Sequence, residues 1–397
     1  MKNTRKLLLL MLMIGALVFA ACSADTEEPA TSDDANNSED TGSDSAENAS
    51  EGNVLDFNLS DEELYEKAKE EGKVVIYAKG SKFKDVKTTF EEEYPGITVE
   101  PYKIDRIEIR EKLTREHEAG VFNVDVVHTN AEPDLVAGGY IHPFKPEDIM
   151  EKFADGYQDS EYPVHYLTVN PIIYNTEVYD EPPISNWWDL TEPEWKGKVL
   201  MNDPVSNATY SEMLVTIIQN ADEMAEAYKE KYGEEIELTE ENAGWEFIAR
   251  FIENDPILMS SGEDIIESVG QPGQSDPPIG FSSSSKLRHI EQTGLPIDGI
   301  FDIKPRVSVM SSSVLYIANN APHPHAAMLL ARYTMGGTDG KAAGLEPFNL
   351  YGAWVPRTDT DNPNPFPVDD IVAWELDQEF YDQTFPEFRN FWISKIE

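Results

Sequence analysis

Five short stretches of this chain set hydroxyls, amides and glycines just ahead of helix-forming or returning segments. They are Lys79-Gly80-Ser81, Thr129-Asn130, "PVSNAT" (204–209), Ser260-Ser261-Gly262 and "SSSSKLRH" (282–289). A helix start leaves N–H groups without intrahelical acceptors and carries partial positive charge. Several such ends aimed at one point hold an anionic group. Lys286 and Arg288 beside the serine run suit a carboxylate or phosphate-like group through charge-assisted hydrogen bonds. The candidates for ligand contact are Ser81, Asn130, Ser206, Asn207, Thr209, Ser260, Ser261 and Ser283. Tyr174 and Asn175 join them, just past a strand interrupted by Pro171. The plainer reading of each alone is a loop residue closing a βα turn, or serine filling a strand.

Other chemistry has less to stand on. The seven histidines do not fall at metal spacing. His117 in "REHEAG" has no second histidine one turn on. His323 and His325 in "PHPHAA" sit with prolines where a helix begins. No metal site is expected. The chain lacks a GxSxG elbow, a Walker loop and a glycine-rich dinucleotide turn, so no cofactor is expected and an enzyme is not the leading reading. Carboxylates are so numerous that calling two of them a glycosidase pair would carry no information.

The one cysteine, Cys22, follows Lys2, Arg5, Lys6, an apolar run from Leu7 to Phe19 and Ala20-Ala21. That order is a secretory signal peptide over 1–21, its apolar part too short to span a membrane. "VFAAC" resembles a bacterial lipobox, with Phe19 where leucine is usual, and the resemblance implies a lipid on Cys22. Two acyl chains give stable attachment. An ordinary cleaved signal with an incidental cysteine is the alternative. Residues 22–56 are polar and acidic without apolar periodicity, the composition of a disordered, extended tether.

The whole chain has a formal net charge of −44, the acidic excess persists beyond the tether, and lysines and arginines form no basic stripe, so nucleic acid is not an expected partner. So acidic a surface favours solubility at high salt or pH and mildly opposes anions at long range. These groups must be held by elements the pattern makes visible. Ser60 and Glu63 form a capping box for a helix ended by Gly72. "VVIYA", "ITVEPY" and "VDVVHT" read as strands alternating with helices, which argues for a mostly parallel α/β sheet. "VHYLTVNPIIYNTEVY" is long, β-branched and broken by Pro171, as a strand crossing between lobes would be. "KVLMND", a helix from Thr209 to Asn220, and "LMSSGEDIIESV" begin the arrangement again.

The block "ISNWWDLTEPEWKGKVLMNDP", with "EEEYPGITVEPY" and "HYLTVNPIIYNTEVY", resembles the bacterial ABC-importer extracellular solute-binding proteins of family 1, ferric-iron-type subgroup. The resemblance covers nearly all of the chain after the tether. It implies an α/β, two-lobe periplasmic-binding-protein type II fold with a β hinge and the solute between the lobes. Trp187, Trp188 and Trp195 would then pack the second lobe. The expected organisation is 57–168 and 282–345 as lobe 1, 169–281 as lobe 2, and 346–397 packing on both. Partners would be a small-molecule solute, an ABC permease and its ATPase, and the membrane through the lipid, with the protein a monomer. It would sit on the extracellular face of the cell membrane, or in the periplasm where an outer membrane exists. Ferric relatives place adjacent tyrosines just past the return hinge; here that place reads "GFSSSSKLRH". Serine hydroxyls replace phenolates poorly for Fe³⁺, so the expected solute is a small anion or chelate. A ferric-binding protein is the alternative, a surface-anchored hydrolase the alternative of another class, and a purely structural lipoprotein a third.

Overall fold

The computed structural model describes residues 56–396; the signal peptide, Cys22 and nearly all of the tether lie outside them. Two mixed sheets organise the rest. The first holds β1 (Lys73–Ala78), β2 (Thr98–Lys103), β3 (Val126–Thr129), β4 (Ile141–Pro143), β5 (Val164–Thr168) and β11 (Ser311–Ala318). Its order is β2-β1-β3-β11-β4, with β5 also on β11. The second holds β6 (Ile172–Asn175), β7 (Val199–Asn202), β8 (Ile257–Met259), β9 (Ile279–Phe281) and β10 (Ile297–Ile300), in the order β10-β6-β9-β7-β8.

Each sheet is parallel where strand and helix alternate and antiparallel where the chain returns from the other lobe. β1 runs parallel to β2 and β3, and β7 to β8 and β9. β11 runs antiparallel to β3, β4 and β5, and β6 to β9 and β10. The mostly parallel expectation therefore describes only part of each sheet. A strand arriving from the opposite lobe enters from the far end, so it pairs in the opposite sense.

Local signals set the boundaries. Ser60 and Glu63 close the capping box of Asp61–Glu71, and Gly72 ends that helix in the left-handed region. Asp105, Asn207 and Ser261 each accept a backbone N–H at the start of Arg106–Glu118, Ala208–Gln219 and Gly262–Val269. Trp187, Trp188 and Trp195 are buried in the second lobe's core. The indole N–H of Trp187 donates to Arg306 O at 2.7 Å and that of Trp188 to Met224 O at 2.8 Å. Their full burial thus leaves no orphaned donor; truncating either would cost about 3–5 kcal/mol.

The chain crosses between lobes at Val169-Asn170-Pro171, between β5 and β6, and again between β10 and β11. Ser284 N–H donates to Val169 O at 2.8 Å, lashing the serine run to the first crossing. That run is a short 3₁₀ turn, Ser284–Arg288, rather than a strand. The lobe boundary also differs from expectation. Residues 282–345 do not all return to the first lobe, because β10 pairs with β6 through Ile297↔Asn175. Beyond β9 the chain makes an excursion along the cleft and rejoins the second sheet before crossing. The helix Gln378–Ile396 packs on Ala208–Gln219 and Ala243–Glu253 of the second lobe. No helix of the described residues is long and apolar enough to cross a membrane.

Candidate functional site

A cavity of about 330 Å³ lies between the lobes. The first lobe contributes the turn after β1 (Lys79 to Lys82), Lys103 at the end of β2, Tyr166 and Thr168 on β5, and Ser311 at the start of β11. The second contributes Asn202 at the end of β7, the start of Ala208–Gln219 and the start of Gly262–Val269. Asn170 of the crossing and the segment 282–288 complete the wall. Strand ends and helix starts converge because parallel strands deliver their βα turns to one edge of each sheet.

Basic side chains outnumber acidic ones in the lining, a balance that would suit an anion. Five basic side chains line the cavity against two carboxylates, Asp105 and Glu263. Lys286 is paired with Glu263. Lys79, Lys82, Lys103 and Arg288 have no carboxylate partner among the described residues. The Lys82 ammonium lies 4.4 Å from the Tyr166 ring centroid and 5.1 Å from that of Phe348, a cation–π seat. Burial, and then the like charges of Arg288, Lys286 and Lys79, pull its pKa well down. Burial also lowers Lys79, to about 8, against the pull of Glu212. Arg288 is lowered as well, mainly by burial, and its Nη1 donates to Ser285 O at 2.6 Å. Cations crowded together at the expense of their own protonation are stabilised by a shared negative guest.

Behind this bed, His128 and His165 form a buried pair. His165 Nε2 stands 2.9 Å from Thr334 O, so it carries the proton and donates. Its Nδ1 then accepts from His128 Nε2 at 3.2 Å. Burial pushes His165 down to about 3 and His128 well below its usual value, so both rings stay neutral under the cations. They act as packing for Phe348 and Tyr166.

Of the residues singled out from sequence, Ser81, Asn207, Thr209, Ser260, Ser261 and Ser283 line the cavity. Several hydroxyls are already engaged. Ser260 and Ser261 donate to Asp264 Oδ2 at 2.6 and 2.9 Å, and Ser283 shares a 3.0 Å bond with Ser285. Their contribution is to hold the helix start in place. Asn130 stands in an adjoining chamber of about 270 Å³, where its Oδ1 accepts from Lys79 and its Nδ2 donates to Ser311 Oγ at 3.2 Å. Three expectations are corrected. Tyr174 is buried in the second lobe's core on β6. Asn175 is spent on structure: Nδ2 donates to Val269 O at 2.8 Å and Oδ1 accepts from Glu177 N–H at 2.8 Å. Ser206 is exposed and turned to Asp203 at 3.3 Å, away from the cavity. Past the crossing, β6 enters a sheet with core on both faces, which leaves neither Tyr174 nor Asn175 a path to the cleft.

Sequence reading missed Lys82, Lys103, Tyr166, Thr168, Asn170, Asn202 and Ser311. The signal for Lys82 was present, since it follows the Lys79-Gly80-Ser81 turn directly. The others lie at strand ends whose alignment only the tertiary structure sets. Thr168, Asn170 and Asn202 are 8, 7 and 9 % exposed. Their side chains have no hydrogen-bond partner among the described residues. All three line the cavity, where water or the polar atoms of a guest can pair with them. No group of three or more His, Cys, Asp or Glu side chains suited to a metal occurs among the described residues.

Residues 85–367 match the family model described as bacterial extracellular solute-binding protein. Solved structures of the same fold include the periplasmic binding protein AfuA from Actinobacillus pleuropneumoniae with exogenous fructose-6-phosphate bound. It is 15 % identical, with 82 % of this chain and 98 % of that chain covered, at a TM-score of 0.61. The apo ferric ion-binding protein A of Pasteurella haemolytica is 13 % identical over 82 % and 98 % of the two chains, with a TM-score of 0.59. The Trichodesmium protein IdiA (FutA), in complex with iron and citrate ligands, is 16 % identical over 82 % and 99 %, with a TM-score of 0.54. At these identities the likeness is one of fold. No curated protein matches in sequence.

Proposed function

Because the chain belongs to the bacterial extracellular solute-binding protein family, we propose that its interlobe cavity captures a small anionic solute and delivers it to an ABC importer. The family is extracellular, so the protein is exported, and both the family and the solved neighbours are binding proteins rather than enzymes. The observation that carries the anionic reading is the set of basic side chains without carboxylate partners, Lys82 foremost, in a chain whose net charge is −44. A local positive well in so acidic a protein has to be built residue by residue. Its volume, near the lower end of the roughly 300–1,000 Å³ typical of ligand sites, suits a small molecule. AfuA is named with a sugar phosphate, which is in keeping with this chemistry.

Attachment through a lipid on Cys22, a spacer over 22–56, a monomeric state, and hand-over to a permease driven by an ATPase belong to the same proposal. Residues from both lobes line the cavity, so a bound solute favours the closed form over the open one.

Bare ferric iron is a poor guest here. It would sit among Lys79, Lys82 and Arg288, and the tyrosines in the wall are held as phenols. Burial raises both Tyr166 and Tyr210, and Tyr210 donates to Phe281 O at 2.7 Å. A chelate fits only with an anionic outer face. Isothermal titration of the full chain with phosphate monoesters, carboxylates and ferric citrate tests the reading. Lys82→Met is expected to weaken the best anion about 10- to 100-fold. Tight uptake of Fe³⁺ without an accompanying anion, or an unchanged Lys82→Met, would overturn it.

A further inference from the structure

We infer that the solute is a polyhydroxylated phosphomonoester, its phosphate against Lys82 and Arg288 and its hydroxyls along Thr168, Asn170 and Asn202. This rests on the anionic reading above and adds the chemistry of both ends. Among the basic residues of the lining, four lack a carboxylate partner among the described residues. A phosphomonoester carries about −1.5 to −2 charges near neutrality and three acceptor oxygens, where a carboxylate brings one charge and two. The dianion matches the surplus better.

The rest of the lining differs in character. Asn170 and Asn202 are each more than nine-tenths buried, and each offers a carboxamide with donor and acceptor to the cavity. A carboxamide is complementary to neighbouring hydroxyls, which also donate and accept. Thr168 adds a third such group from the first lobe. An all-anionic guest would leave the donors used and the amide oxygens idle, whereas a polyol uses both. Asn170, Thr209 and Ser311 also line the adjoining chamber with Asn130, Ser312 and Gln378, so the polar wall continues beyond the first cavity. Arg106 and Glu212 there are tied to each other, and Glu375, Val309, Met310, Trp374 and Leu376 share the lining with the amides and hydroxyls.

Titration of the full chain with inorganic phosphate, glycerol phosphate, a hexose 6-phosphate, free hexose and gluconate tests the assignment. The hexose phosphate is expected to bind at least about 100-fold tighter than either phosphate or hexose alone. Asn170→Leu, and separately Asn202→Ala on the other lobe, each lower its preference over inorganic phosphate about tenfold. Two variants on different segments keep the test usable if one misfolds. Gluconate binding more tightly than the hexose phosphate, or both variants keeping the full preference, would overturn the assignment while leaving an anion site in place. Failure of the underlying reading looks different: no anion in the panel binds and Lys82→Met changes nothing.

Discussion

Arg106 and Glu212 meet across the cleft. The first begins the helix Arg106–Glu118 of one lobe, and the second lies on Ala208–Gln219 of the other. Arg106 Nε also holds Glu132 Oε1 at 2.7 Å, and Arg110 reaches the other oxygen of Glu132 at 3.1 Å. The guanidinium thus has a fixed partner in its own lobe and a second partner in the opposite one. Such an arrangement lets the lobes part without stranding Arg106.

Glu212→Gln removes the inter-lobe charge and leaves Arg106 paired with Glu132. Solute affinity is expected to fall about tenfold, mostly through faster dissociation, because the lost contact belongs to the closed form. Stopped-flow release measures this. An unchanged release rate would show that the pair does not hold the lobes together.

Lys79 gives the site a pH dependence. Its pKa, lowered to about 8 by burial, lies below that of the same lysine in the unfolded chain. Anion affinity should be full below pH 8 and fall about tenfold as the pH rises through that value. Binding should also take up a fraction of a proton near pH 8, since a guest anion draws the pKa back up. The solute-free protein behaves oppositely: its stability gains between about pH 8 and 10, where the unfolded chain still holds the proton. Lys79→Met should flatten both profiles, as read by titration in buffers of different ionisation heat and by denaturant melts.

Gly352 fixes the serine turn from behind. Its φ is +83°, and a Cβ there would lie 1.9 Å from Ser284 O. Ser284 Oγ donates to Gly352 O at 2.5 Å. Gly352→Ala must strain the backbone and push away the turn that carries Lys286 and Arg288. A loss of about 3 kcal/mol in stability is expected, with weaker anion binding in whatever remains folded. A variant with wild-type stability and affinity would contradict the packing described.

Arg332, 2 % exposed, ties three elements of the first lobe. It donates to Asp61 Oδ1 at 2.5 Å, to both Asp148 oxygens at 2.8 and 2.6 Å, and to Thr338 Oγ1 at 3.0 Å. Arg332→Met should cost about 1–3 kcal/mol through the lost hydrogen bonds, since Asp61 and Asp148 keep access to water. The Asp148 carboxyl is held below its usual value by Arg332, so its contribution is present above about pH 4 and lost as the pH falls through the lowered pKa. Denaturation midpoints from pH 7 to pH 3 should therefore fall less steeply in Arg332→Met than in the parent.

Much of this could be read along the chain. The capping box at Ser60 and Glu63, the buried run of β1 and the break at Pro171 are local chemistry, and each stands where the pattern put it. The serine and asparagine turns were legible for the same reason, because a helix start needs a capping oxygen wherever it occurs. That signal is blind to direction, however. Ser206 and Asn207 are neighbours in one turn, yet only Asn207 lines the cavity. Ser260 and Ser261 line it with their hydroxyls committed to Asp264.

Composition, helix caps and strand runs therefore determined by themselves that two α/β lobes would form with capped turns at their edges. What only the tertiary structure decided is which of those edges face each other. β10 joins the second sheet, against the expected division, and the excursion before it carries Lys286 and Arg288 to Lys82, about 200 residues away in sequence. Asn170 and Asn202 became wall residues by the same alignment. A capping bond is settled within one turn of chain. The meeting of like charges, unfavourable by itself, depends on the burial of two whole cores.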